Sequence, residues 1–76
     1  MLKAYREFLE TIRPEKLQWI GQISNDIVIE SSIMEETKDQ KLKDQLLSLI
    51  VEEQKQIETL LKEIAEEDEW RLKHGL

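Results

Sequence analysis

Few residues in this 76-residue chain have side chains able to do chemistry, and most of those are carboxylic acids. In the stretch LIVEEQKQIETLL, residues 49–61, Glu53 and Gln56 stand three apart, which puts them on one face of a helix. That face also carries Leu49, Ile50, Ile57, Leu60 and Leu61. A carboxylate and an amide among leucines must be met by a hydrogen-bond donor, a counter-charge or a metal ion. Two readings follow. In the first, Glu53 and Gln56 join an inter-helix hydrogen-bond set with Gln22, Ser24 or Asn25, of the kind that fixes register and oligomer state. In the second they ligate a divalent metal, with Asp26 and Glu30 as the nearest upstream acids. The first is the expectation.

Other chemistry is thin. His74, the single histidine, lies near the end of the chain with no partner at helical ligand spacing. Ser24, Ser31, Ser32 and Ser48 have no histidine base in the pattern, so a serine nucleophile is not expected. There is no cysteine and no glycine-rich phosphate loop. Glu63, Glu66, Glu67, Asp68 and Glu69 form an acidic run that reads as a solvated helix face. The pairs Glu58–Lys62, Glu67–Arg71 and Glu69–Lys73 would brace it at i, i+4. The expectation is a protein without enzymatic activity and without a cofactor.

Helices must position these residues. Apolar side chains recur three or four apart throughout: Leu2, Tyr5, Leu9 and Ile12; then Leu17, Ile20, Ile23, Ile27 and Met34; then Leu42, Leu46, Leu49, Ile50, Ile57, Leu60, Leu61 and Ile64. Proline disfavours helical geometry in the residue before it and suits a first helical turn, so Pro14 predicts a break. The expected elements are a short helix over 1–12, a second over 14–37 and a third over 40–73, all in one domain spanning 1–76. Asp39 is the expected N-cap of the third, with a Thr37–Gln40 capping box as the alternative. His74-Gly75 reads as its stop.

The break near Asp39 lies close to the chain centre, so the two halves should run antiparallel, with residue i level with residue 77−i. The second helix would span about 36 Å and the third about 50 Å at 1.5 Å per residue. The first segment would cover the overhang, placing Tyr5 and Leu9 near Trp70. By the same rule Glu30 falls level with Leu47, six residues or about 9 Å short of Glu53. A hairpin alone cannot cover apolar stripes this wide. The fold class expected is an all-α antiparallel helical hairpin with a Pro-broken first arm, completing a four-helix bundle by homodimerisation. Its interface would use Trp19, Ile23 and Ile27 from the first arm, and Leu46, Leu49, Ile50, Ile57, Leu60 and Leu61 from the second. A larger homo-oligomer or a separate protein partner satisfies the same need.

Charge narrows the partners. Residues 1–25 hold four basic and three acidic side chains, and residues 26–76 hold seven and fourteen, so +1 and −7 make the net −6. That balance disfavours nucleic acid, which needs a basic face. The start MLKAYREFLET is charged throughout and does not read as a signal peptide. No apolar run approaches the roughly 20 residues of a membrane span. A cytoplasmic location is expected.

The stretch KDQKLKDQLLSLIVEEQKQIETLL, residues 38–61, resembles the second half of a ferritin-like or rubrerythrin-like helical pair. Such pairs show a short acidic turn, Leu-Lys, an apolar run, Glu-x-x-His and a further apolar run. Asp39, Leu42, Lys43, Leu46, Leu49, Glu53, Ile57 and Leu60 match that layout without a gap, and the resemblance covers roughly residues 16–64. It implies a ferritin-like bundle, and in intact members a carboxylate-bridged iron site. The motif is degenerate here. Gln56 stands where the family has histidine, and the window where the family's upstream glutamate falls holds Ile20, Gln22, Ile23 and Asn25. The function expected is therefore a non-enzymatic helical assembly or protein-interaction module. The alternative is a minimal iron-binding protein with a site formed between subunits.

Overall fold

The computed structural model describes residues 2–75. Its elements are two helices, α1 over Leu2–Glu36 and α2 over Gln40–Lys73. They pack antiparallel as a hairpin within a rod of 55 × 16 × 14 Å, with no strand among the described residues. Each helix end has a chemical cause. The Thr37 amide still donates to the Ile33 carbonyl at 2.9 Å, and the chain then turns. Asp39 sits in extended geometry and its carboxylate accepts from the amides of Lys41 and Leu42 at 3.0 and 3.3 Å, capping α2. The Thr37 hydroxyl accepts from the Asp39 amide at 3.2 Å, so threonine supports the cap rather than forming it. At the far end the amides of His74 and Gly75 donate to the carbonyls of Trp70 and Leu72, and Gly75 takes a φ of 70°.

The expected division into helices over 1–12 and 14–37 is not what forms. Met1 lies outside the described residues, and from Leu2 the helix runs through Pro14 to Glu36. A mid-helix proline forfeits the bond from its own nitrogen to the carbonyl four residues back and crowds that carbonyl, a cost of about 3 kcal/mol or more. Contacts with α2 on both sides of Pro14 outweigh it. Upstream, Leu9 is 1% exposed and Tyr5 meets Trp70 edge-to-face with ring centroids 4.5 Å apart. Beside and downstream of the proline, Arg13 pairs with Asp68, and Lys16 pairs with Glu67 and, at 3.3 Å, with Glu63. These contacts need both halves of α1 on one line. Pro14→Ala should then leave the architecture intact and restore a bond to the Glu10 carbonyl. We expect a stability gain of about 1–3 kcal/mol by denaturant titration. Lost stability would show that the proline geometry itself is required.

The covered core is small. Among the described residues Leu9 and Ile50 are the buried apolar side chains, and Glu53 joins them at 8% exposure. A compact monomer of 9.1 kDa exposes roughly 4,900 Å². This hairpin exposes 5906 Å², about 1,000 Å² more than that scaling predicts.

Candidate functional site

The site grows from the way side chains leave an antiparallel helix pair. Every Cα–Cβ bond leans toward the N-terminus of its own helix. On α1 that lean is away from the turn, and on α2 it is toward it. Side chains therefore meet partners further along α2 than simple levelling predicts. Lys16 reaches Glu63 and Glu67 rather than position 61, and Arg13 reaches Asp68 rather than position 64. The same offset carries Glu30 past Leu47 to Glu53, and their carboxyls come within hydrogen-bonding reach. The axial gap expected between these two acids is closed.

The result is a pair of acids that no basic side chain answers among the described residues. Glu53 Oε1 and Glu30 Oε2 are both buried without a hydrogen-bond partner, which two ionised carboxylates facing each other must be. A shared proton relieves this. The hydrogen bond to Glu30 comes first, then burial, then the negative charges of Glu30 and Asp26; together they push Glu53 up to about 7. Glu53 is thus more basic folded than unfolded. Its contribution to stability is fully present below the ordinary carboxylate value of 4.5 and is lost as pH rises through 7. Melting temperature should accordingly fall between pH 5 and pH 8, and Glu53→Gln should flatten that fall. An equal slope in both proteins would rule the pair out as its source.

Of the other residues singled out from sequence, Asp26 is exposed, one turn before Glu30, and close enough to act on Glu53 by charge. Gln56 is exposed and separate from the pair. With Trp19, Ile23, Leu60 and Thr59 it lines an open groove of about 460 Å³, rimmed by Glu52 and Lys55. Gln22, Ser24 and Asn25 are exposed too, so the hydrogen-bond set expected around Glu53 gives way to Glu30. No group of three or more acidic, imidazole or thiol side chains stands at metal-binding distance among the described residues.

Of the interface candidates, Ile23, Ile27, Leu46, Ile57 and Leu60 are half-buried in the seam and Ile50 is buried. Trp19, Leu49 and Leu61 remain 49%, 46% and 51% exposed. Trp19 belongs to a longer strip that sequence periodicity alone had not drawn together. Phe8, Trp19, Ile29 and Ile33 are all exposed, and Asp26 lies among the last three in steps of seven, three and four.

At the open end, Glu67 turns to Lys16 across the pair instead of to Arg71 along the helix. The Glu67 hydrogen bond leads the causes that hold the Lys16 ammonium above its usual value. His74 stacks on Trp70 at 4.3 Å, with Nδ1 2.8 Å from the Trp70 carbonyl oxygen.

Fold and site together define an all-α two-helix hairpin with a carboxyl pair in its seam. No family model matches the chain, and neither a curated protein nor a solved structure matches it. No described helix is long and apolar enough to cross a membrane.

Proposed function

We propose that this hairpin is a non-enzymatic assembly module that works by pairing with a second copy of itself, giving a four-helix bundle of ferritin-like architecture. The observation that carries the reading is the exposed strip of Phe8, Trp19, Ile29 and Ile33 beside the Trp19–Leu60 groove. The hairpin as a whole exposes about 1,000 Å² more than a compact monomer of its mass, of the same order as the roughly 800 Å² that each partner buries in a stable complex. The groove rim favours a copy over an unrelated partner. Glu52 and Lys55 supply one charge of each sign, so a two-fold axis would set each against its opposite.

An iron site on Glu53 and Gln56 is the second reading, and the burial of Glu53 favours it. Against it, the amide lines the groove while Glu53 turns to Glu30. Sedimentation equilibrium from 1 to 100 μM tests the assembly. The expected result is a dimer or a larger symmetric species. A fully helical, stable monomer across that range would overturn it.

A further inference from the structure

We propose that the cleft at the open end of the seam binds a guanidinium group, supplied by an arginine in a basic segment of a partner protein. The cleft is complete within one hairpin, so it does not rest on pairing with a copy.

Walls and charge both point to this ligand. The cleft has a volume of about 240 Å³ and is lined by Tyr5 and Lys16 of α1 and by Glu63, Glu66, Glu67 and Trp70 of α2. That is room for about eight waters at roughly 30 Å³ each, enough for one side-chain head and too little for a larger ligand. Tyr5 and Trp70 stand at 75° with ring centroids 4.5 Å apart, so they form an aromatic corner. Phe8 stacks on Tyr5 and His74 on Trp70, which steadies both rings. Aromatic faces attract cations. The acids add to that attraction, since three carboxylates against one ammonium leave a net −2 in the cleft. Lys16 meets Glu63 at 3.3 Å and one oxygen of Glu67. The other oxygen, Glu67 Oε2, is buried with no hydrogen-bond partner on a side chain only 12% exposed, and Arg71 one turn on does not answer it. Glu66 enters no ion pair among the described residues.

Ligand chemistry separates the organic cations. A quaternary ammonium would suit the rings but has no N–H for the unanswered oxygen of Glu67. A lysine ammonium would donate, but it is compact and strongly hydrated and gains less from the rings. A guanidinium does both, stacking its flat face on a ring while its edge donates to carboxylates. The surroundings favour a peptide as its source. Residues 26–76 carry a net −7, and Asp68 and Glu69 continue the acids beyond the cleft, so a basic segment is attracted along its length.

The test titrates the full chain, at pH 7.5 and low salt, with a capped Lys-Gly-Arg-Gly-Lys peptide while indole and amide signals are followed by NMR. The expected result is a saturable shift of the Trp70 indole and of the amides of residues 63–70, with the Trp19 indole unmoved. The same peptide with citrulline in place of arginine should bind at least tenfold more weakly, and with a central lysine at least threefold. Ethylguanidinium should shift the same signals with at least tenfold lower affinity. Glu66→Gln and Trp70→Leu should each weaken peptide binding at least fivefold. Glu66 is exposed and unpaired among the described residues, so its variant keeps the fold if Trp70→Leu does not. Glu69→Gln removes the same charge from the same acidic run outside the cleft and should change binding less than twofold. Equal losses from Glu66→Gln and Glu69→Gln would overturn the proposal, because the attraction would then be diffuse. So would equal binding of the citrulline peptide, shifts centred on Trp19, or no shift at millimolar peptide. Ethylguanidinium binding as tightly as the peptide would overturn the partner segment as the source. A protein that stays monomeric in sedimentation yet binds the peptide as described would lose the pairing and keep the cleft.

Discussion

In the proposed dimer, Trp19→Glu should leave a monomeric hairpin, weakening self-association at least a hundredfold in sedimentation equilibrium. Trp19 is 49% exposed in the isolated hairpin and walls the groove, so its removal costs α1 and α2 little of their own seam. A large aromatic at the centre of an interface commonly contributes 2 kcal/mol or more to association. A carboxylate in its place adds a buried charge, and a two-fold interface would place two such charges in it. Leu17→Glu provides the contrast. Leu17 is also half-exposed, but it stands on the opposite flank of α1 from the Trp19 strip, so its substitution should leave association nearly unchanged. If Leu17→Glu dissociates the protein and Trp19→Glu does not, the wrong face has been assigned.

Leu9→Ala should be the most damaging single truncation. Leu9 is 1% exposed, the most fully buried large side chain, and sits between the Tyr5–Trp70 contact and the Arg13–Asp68 pair. Truncating a buried leucine to alanine costs about 2–5 kcal/mol, from lost transfer free energy and from the cavity left behind. A chain of this size has a net stability of roughly 4–11 kcal/mol. The variant should therefore lose a large part of its cooperative unfolding transition by circular dichroism. The local effect should reach Trp70, whose fluorescence should shift toward that of a solvated indole. A loss under 1 kcal/mol would mean that the amino-terminal arm of α1 contributes little to the hairpin.

Apolar spacing of three and four predicted helix along nearly the whole chain, divided into three segments, and the absence of alternation argued against strands. Asp39 was readable as a cap because a short acceptor before a helical run has one good use. The meeting of Tyr5 with Trp70 followed from the chain's near-symmetry about its turn. Pro14 misled because its cost is local and its compensation is not. Arg13 and Lys16 hold α1 in line only through residues 47 to 55 positions away. Glu30 and Glu53 were considered together but placed about 9 Å apart along the axis. Levelling by residue number tracks backbones, whereas the opposite lean of side chains on antiparallel helices moves their tips by several residues. The groove around Trp19 needed both helices in register before Gln56 and Leu60 could be placed on its wall.

The uneven placement of charge along the seam has a mechanical consequence. Among the described residues, every inter-helix ion pair lies in the half of the rod away from the turn, where Arg13 and Lys16 reach across to residues 63–68. The turn half holds the two acids that oppose each other. A hairpin ordinarily frays from its loose ends, because the loop keeps the other end together. Here the loose ends are fastened and the tension sits near the fold-back. Transient openings should thus begin as a blister around Glu30 and Glu53, bounded by the turn on one side and by Lys16 on the other, and close again without the helices sliding or parting.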